Sequence, residues 1–152
     1  MWSLILLGTG GVGGWVARGN VVAYAQERLP LSVTHIFTDR NGQTRKESIA
    51  MPFVASTPPD RGTLESALSL PARQIAIVRT SPDYLSDFHS VTSRRYIIML
   101  SGHREYEVAD GQKFSIGPGE IMLVEDLTGR GHLTRGSGDD AVNVIVALDD
   151  TK

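Results

Sequence analysis

The strongest constraint on the fold is a series of short apolar runs separated by turn residues. Strand-like segments of about five residues alternate with glycine- or proline-containing turns, a spacing typical of β-sandwiches and barrels. The predicted strands are residues 33–37, 74–78, 94–100, 104–108, 113–116, 121–124 and 141–148. The sequences at 39–42, 110–111 and 117–119 predict tight turns between them. We therefore predict an all-β body.

Length, charge and cysteine content narrow the possible functions. The 152 residues fit one compact domain. The absence of cysteine excludes disulfides, thiolate zinc sites and cysteine nucleophiles. A net charge of −2 and short basic pairs, at Arg45–Lys46 and Arg94–Arg95, give no nucleic-acid footprint. We expect neither a nucleic-acid partner nor stable insertion into a membrane.

The first thirty residues differ in composition from the remainder, so we divide the chain into a Gly-rich N-terminal arm or leader at 1–30 and a barrel domain at 31–152. The sequence Ala23-Tyr24-Ala25 has the small-x-small form of a secretory cleavage site. However, no positive charge precedes the apolar run, and Arg18 interrupts it before that site. A cytoplasmic protein is the prediction, and export with cleavage after Ala25 is the alternative.

The same arm contains the pattern G-x-G-x-x-G at Gly8, Gly10 and Gly13, which in βαβ units allows the backbone to approach a pyrophosphate. Asp39 follows at roughly the position of a ribose-binding acid. Beyond Asp39, however, helices and strands no longer alternate, so the sheet that a dinucleotide needs is missing. We expect no nucleotide cofactor. Residues 56–71 read as a surface loop with one helical turn at 64–68.

Two motifs in the C-terminal half carry a family resemblance. Residues 88–102 read FHSVTSRRYIIMLSG, residues 105–126 read EYEVADGQKFSIGPGEIMLVED, and residues 128–132 read TGRGH. This pattern resembles the cupin superfamily, whose first motif is H-x-H followed by Glu and Gly, and whose second has a Pro-Gly corner and a closing His. The resemblance implies a cupin-type β-barrel, that is, a double-stranded β-helix or jelly roll.

The metal-binding set that the resemblance implies is incomplete. Cupin metal sites usually use about three histidines and one carboxylate, a set suited to divalent transition metals. Matching the motifs leaves His89 and His132 as ligands, with Val91 at the second histidine and Arg95 at the glutamate. A permanent cation at that position repels a divalent ion. We expect a metal-independent barrel without a cofactor, and weak metal binding through His89 and His132 is the alternative.

Strand alternation places Arg95, Ile97 and Met99 on one face of their strand, which we take as the barrel interior. A cation there must be paired, by Asp126 or Glu125, or must face a wet cavity that accepts an acidic or carbonyl ligand. The predicted ligand site has an apolar part and a polar end. Its members are Ile97, Met99, Met122 and Val144, and His89, Arg95, Asp126 and His132. A small carboxylate or polar-headed apolar molecule would suit it.

Three functions remain open at this point. The first is a small-molecule-binding cupin. The second is an enzyme, an isomerase, lyase or dioxygenase-like protein, with His89, His132 and Arg95 as candidate catalytic residues, although both histidines can equally serve as structural groups at the barrel mouth. The third is a homodimeric regulatory or assembly module that pairs through strand edges. His103 is expected to be exposed, and His35 has no evident partner.

Overall fold

The computed structural model describes residues 29–55 and 65–149 and contains no helix within them. The predictions for the Gly-rich arm, the G-x-G-x-x-G pattern and the cleavage site lie outside this part of the chain. The strands are β1 Leu31–Thr38, β2 Thr44–Met51, β3 Val54–Ala55, β4 Glu65–Ser66, β5 Ala72–Thr80, β6 Arg95–Ser101, β7 Arg104–Val108, β8 Lys113–Ile116, β9 Ile121–Glu125, β10 His132–Gly136 and β11 Ala141–Leu148.

Two sheets form the body of the protein. Six strands pair in the order β2-β1-β9-β6-β11-β5, and three pair in the order β10-β7-β8. Pairing is antiparallel except between β1 and β9. Side chains from both sheets share one apolar core, in which Met99 and Met122 of the larger sheet meet Tyr106 and Val108 of the smaller one. The predicted all-β fold is confirmed.

The alternation of side chains along β6 follows the prediction. Ile97 and Met99 join the core between the sheets, whereas Tyr96 joins a second apolar cluster on the other side of the larger sheet. The inner face of this sheet therefore carries Arg95 in line with Ile97 and Met99, because successive side chains in a strand point to opposite faces.

Three elements differ from the sequence prediction. Strand β2 was not predicted because its residues, TRKESIAM, are largely polar, yet it pairs with β1 along its whole length as the edge of the sheet. Strand β10 was not predicted because glycines flank a short run. The helical turn expected at 64–68 is wrong in its described part, since Glu65–Ser66 pairs with Val54–Ala55 as a short strand.

Asp39 has a structural role in the β1–β2 turn. Its carboxylate accepts hydrogen bonds from the backbone amides of Asn41 and Gln43, at 2.8 and 2.9 Å, and pairs with Arg45 at 3.0 Å. These contacts lower the pKa of Asp39, the bond from Gln43 being the largest cause. Within the described residues, no helix is long and apolar enough to cross a membrane.

Candidate functional site

A cavity of about 230 Å³ opens inside the barrel between the two sheets. Its apolar wall is formed by Val78, Val91, Ile97 and Ile145. Its polar groups come from both sheets and from the segment before β6, and they are Thr80, Tyr84, His89, Arg95, Arg104, Tyr106, His132, Thr134 and Asn143. The structure thus brings four of the predicted ligand-site residues, His89, Arg95, Ile97 and His132, together around one space.

His89 and His132 face each other across a β-bridge. Each backbone amide donates to the other residue's carbonyl at 3.0 Å, and the ring centroids lie 4.8 Å apart. Gly131 makes this approach possible, because a Cβ atom there would lie 2.0 Å from the carbonyl oxygen of His89. Its φ of +76° is also a conformation that glycine adopts readily. The two histidine side chains are therefore neighbours by construction of the backbone.

Asp126 orients the His132 ring. Nδ1 of His132 lies 2.7 Å from Oδ2 of Asp126, and both side chains are buried. An ionised carboxylate only accepts hydrogen bonds, so Nδ1 carries the proton and Nε2 is the free nitrogen. Among the described residues the buried polar side-chain atoms without a partner are Thr44 Oγ1 and Asp126 Oδ1. Nε2 of His132 is not one of these buried atoms, so it is accessible from the cavity that the ring lines.

His89 stands at the mouth of the cavity and is exposed to solvent. Its Nδ1 lies 2.9 Å from the backbone carbonyl of Asp87. A carbonyl oxygen can only accept, so this nitrogen also carries the proton, and Nε2 is again the nitrogen left for other partners. The two imidazoles thus present the same ring atom to their surroundings.

Arg95 points into the cavity, but the predicted pair with Asp126 or Glu125 is absent from the described structure. Asp126 is bonded to His132, and Glu125 lies beside Arg94 and His35. The Arg95 guanidinium instead donates to the carbonyl of Ser93 at 3.1 Å and to two hydroxyls at 3.5 Å. Burial and then the nearby charge of Arg73 lower the pKa of Arg95, while Asp126 opposes the change.

Arg104 is a site residue that the sequence reasoning did not single out. Its side chain is 2% exposed and lines the cavity. It donates to the hydroxyl and carbonyl of Thr80, to the carbonyl of His103 at 2.7 Å and to that of Asp139 at 3.3 Å. All of these acceptors are neutral, and no carboxylate of the described residues forms an ion pair with it. The alternation that buries Arg104, Tyr106 and Val108 on one face of β7 was the available signal.

Tyr106 is the second residue that the sequence did not indicate. Its ring stacks on Phe114 and lies 5.9 Å from the His132 ring. Burial raises the pKa of Tyr106 to about 12, so its hydroxyl stays protonated at neutral pH. A protonated phenol both donates and accepts hydrogen bonds, and this one lines the cavity beside His132.

Three predicted lining residues are placed elsewhere. Met99 and Met122 are buried in the core and do not line the cavity. Val144 pairs with Ile98 and therefore lies on the outer face of the sheet, so its predicted contact with the ligand is corrected. A register shift next to Asn143 sets the inward positions of β11 at Asn143 and Ile145, which line the cavity instead. Asp126, the remaining predicted residue, does not line the cavity itself and acts on the site by orienting the His132 ring.

The side chains at this site do not fit a transition-metal centre. Val91, at the position of a second histidine, is packed in the core, and Arg95 brings a cation to the cavity. Asp126 already holds the ring of His132. Across residues 29–55 and 65–149, no three His, Asp or Glu side chains are grouped so that they could hold a metal ion. Two imidazoles beside a guanidinium are a poor donor set for a divalent cation.

The other two histidines lie away from the cavity. His103 is exposed, as predicted, and contacts Asp139 at 3.3 Å. The expectation that His35 lacks a partner is wrong: Nδ1 lies 2.8 Å from Glu47, and Nε2 lies 2.7 Å from Glu125. Glu47 contacts His35 across the pairing of β1 with β2, and Glu125 contacts it across the pairing of β1 with β9. Neither contact can be predicted without the order of the strands in the sheet.

Comparison with known proteins gives similarity of fold. No protein-family model matches the chain. No curated protein matches it either. Among solved structures, a protein from Neisseria meningitidis is 23% identical with a TM-score of 0.41, covering 49% of this chain and 72% of its own. A 3,4-ketoisomerase from Helicobacter canadensis is 19% identical with a TM-score of 0.44, covering 67% and 83%.

A cupin superfamily protein from Desulfitobacterium hafniense is 14% identical with a TM-score of 0.39, covering 63% of this chain and 99% of its own. At such identities the likeness concerns the fold, and the site must be interpreted from its own residues.

Proposed function

Starting from the cupin-type barrel, we propose that the protein binds a small organic anion, with a carboxylate as the charged group, in the cavity and without a metal. The observation that carries this proposal is Arg104, a guanidinium 2% exposed at the cavity wall whose hydrogen-bond acceptors are all neutral. Buried cations are normally paired with a negative charge. A carboxylate ligand would supply the charge that Arg104 lacks.

The charge balance around the cavity supports an anion. Two guanidiniums, Arg95 and Arg104, line the cavity. The nearby carboxylate of Asp126 is hydrogen-bonded to His132 and forms no ion pair with either arginine. Hydrogen bonds between guanidinium and carboxylate are about twice as strong as neutral ones and often bidentate. Because both cations are shielded from water to some degree, their attraction for an anion is screened less by salt than that of a surface charge.

The size of the cavity limits the ligand. A volume of about 230 Å³ lies below the range of roughly 300–1,000 Å³ that accommodates drug-sized molecules. The apolar wall, formed by side chains such as Ile97 and Ile145, accepts a short hydrocarbon part. We therefore propose a small carboxylate with a short apolar body as the ligand class.

Binding of simple carboxylates to chelator-treated protein tests this proposal. Acetate, malonate, succinate and citrate are titrated calorimetrically, with malonamide as the neutral control. We expect saturable binding of at least one carboxylate and none of malonamide. Elemental analysis of protein purified without chelator tests metal independence: stoichiometric iron, manganese, nickel or zinc that is lost on replacing His89 and His132 would contradict it.

A second candidate is acid–base catalysis on the same bound anion, as in an isomerase or lyase. It is favoured by the hydrogen bond between Asp126 and His132, which leaves Nε2 of His132 free at the cavity. The ring centroids of His132 and His89 lie 4.8 Å apart. Imidazole titrates near neutral pH and is suited to moving a proton. Deuterium exchange at a carbon of a bound carboxylate, followed by NMR in D₂O, tests it. Loss of exchange in His132→Gln but not in His103→Gln is expected.

We further propose that two copies of the chain pair through strand β5. This strand is an edge of the larger sheet, and its Ile75 and Ile77 are 68% and 74% exposed. Apolar edge strands favour pairing with another chain. Light scattering should give the mass of a dimer for the wild type and of a monomer for Ile75→Lys. A monomeric wild type would contradict pairing through β5.

We also propose a cytoplasmic location. A mature N-terminus at Gln26 would contradict a cytoplasmic location.

A further inference from the structure

The outer face of the six-stranded sheet is apolar across several strands. The register pairs Val146 with Tyr96 and Val144 with Ile98, and these side chains point away from the cavity. A strand with one face open to water normally alternates apolar and polar residues, whereas a strand that is apolar on both faces is normally covered on both sides. Strand β6 reads RYIIMLS and β11 reads AVNVIVAL, so both faces of these central strands are of the covered type.

A groove of about 410 Å³ runs over this outer face. Its floor includes Leu31, Val33, Tyr96, Ile98 and Val146. Its walls include Phe53 and Leu68, which flank the short β3–β4 pair and are each 45% exposed. The groove lies on the opposite side of the sheet from the cavity and is not part of the proposed anion site.

We propose that residues 1–28 of the same chain bind in this groove. The described chain starts just before β1, and Leu31, the first residue of β1, is itself part of the groove floor. The preceding segment is thus tethered at the groove. Residues 1–17 carry no charged side chain and include Trp2, Trp15 and the run at 4–7, LILL. Apolar chain held next to an apolar groove has a high effective concentration there.

The sequence supplies a specific probe for this contact. The only two tryptophans of the chain are Trp2 and Trp15, so intrinsic tryptophan fluorescence reports on this segment alone. In the full-length protein we expect emission shifted to the blue and weak quenching by iodide. Ile98→Glu places a charge in the groove floor and should raise the iodide quenching constant several-fold. Leu100→Glu, on the same strand but 53% exposed and outside the groove, is the matched control and should leave it unchanged.

A second measurement applies even where Ile98→Glu fails to fold. Because the chain has no cysteine, Ser66→Cys puts a single thiol at the groove for a nitroxide label, which quenches nearby tryptophan, and Ser115→Cys on β8 is the distant control. Strong quenching from position 66 and little from position 115 supports the proposal. Equal quenching from both, or wild-type tryptophans as accessible as in the denatured chain, would overturn it.

The same label separates the proposed occupant from others. A labelled Ser66→Cys chain in which Trp2 and Trp15 are changed to Phe is mixed with unlabelled wild type. Unchanged fluorescence supports binding within one chain. Quenching in the mixture would show that the segment of a second copy fills the groove. A blue shift that occurs only after addition of phosphatidylcholine vesicles would assign the segment to a lipid surface. Either of these last results overturns the proposal.

Discussion

Nδ1 of His132 and Oδ2 of Asp126 are joined by a 2.7 Å hydrogen bond inside the barrel, where His132 is 3% exposed and Asp126 is fully buried. The bond fixes both the orientation and the tautomer of the imidazole. Asp126 therefore forms no ion pair with Arg95, which its position next to β9 had suggested, and acts on Arg95 only through its nearby charge. The cavity is left with two guanidiniums and without a free carboxylate among its described lining residues.

Removal of the Asp126 carboxylate should destabilise the protein and change the tautomer of His132. Asp126→Ala breaks a buried hydrogen bond, and we expect a loss of about 2 kcal/mol in the free energy of unfolding. The ¹⁵N shifts of His132 should move away from a protonated Nδ1. Asp139→Ala, which removes an exposed carboxylate 3.3 Å from His103, should change stability little. Equal effects of the two variants would contradict the structural role of Asp126.

Gly131 should be far less tolerant of alanine than Gly111. Both residues have positive φ, at +76° and +87°, so each substitution incurs about 1–2 kcal/mol of backbone strain. A Cβ at Gly111 meets nothing within 4 Å, whereas one at Gly131 lies 2.0 Å from the backbone oxygen of His89. Gly131→Ala must therefore separate the two histidines. Urea unfolding should show the larger loss at Gly131, and similar losses would show that the bridge is not tight.

Because the Tyr106 side chain is buried, we predict that the folded protein loses stability at high pH. Burial raises the pKa of Tyr106 from 10.0 to about 12. A raised folded-state pKa gives stability that is present below pH 10.0 and is lost as the pH rises to about 12. Relative to Tyr106→Phe, the wild type should lose about 2 kcal/mol over this window. Denaturant unfolding of both proteins at several pH values measures it, and a constant difference would contradict the burial of the hydroxyl.

The Arg95 side chain should cost stability. Burial and the charge of Arg73 lower the pKa of Arg95, so its charged form is less favourable in the folded protein than in water. Arg95→Met should unfold at equal or higher denaturant concentration than the wild type, a pattern common where function requires a strained or unpaired group. Arg79→Met, at an exposed position on β5, serves as the control. Marked destabilisation confined to Arg95→Met would indicate that Arg95 holds the barrel together.

The barrel was predictable because its strands and turns are local patterns. The corners at Asp110–Gly111 and Pro118–Gly119 and the alternation along β6 can be read directly from neighbouring residues. The bonds of His35 could not be predicted, because Glu47 and Glu125 reach it only through the pairing of β1 with β2 and β9. Likewise, the register shift beside Asn143 decides that Ile145, and not Val144, meets the cavity.

The most direct test of the account is a calorimetric titration of chelator-treated protein with malonate, comparing wild type, Arg95→Met and Arg79→Met. We predict saturable binding of one malonate by wild type and by Arg79→Met, without added metal. Loss of one charged contact should weaken binding by Arg95→Met about tenfold or more, equivalent to about 1.4 kcal/mol. Equal affinity in all three proteins, or binding that requires an added divalent metal, would contradict a metal-independent anion site built on Arg95 and Arg104.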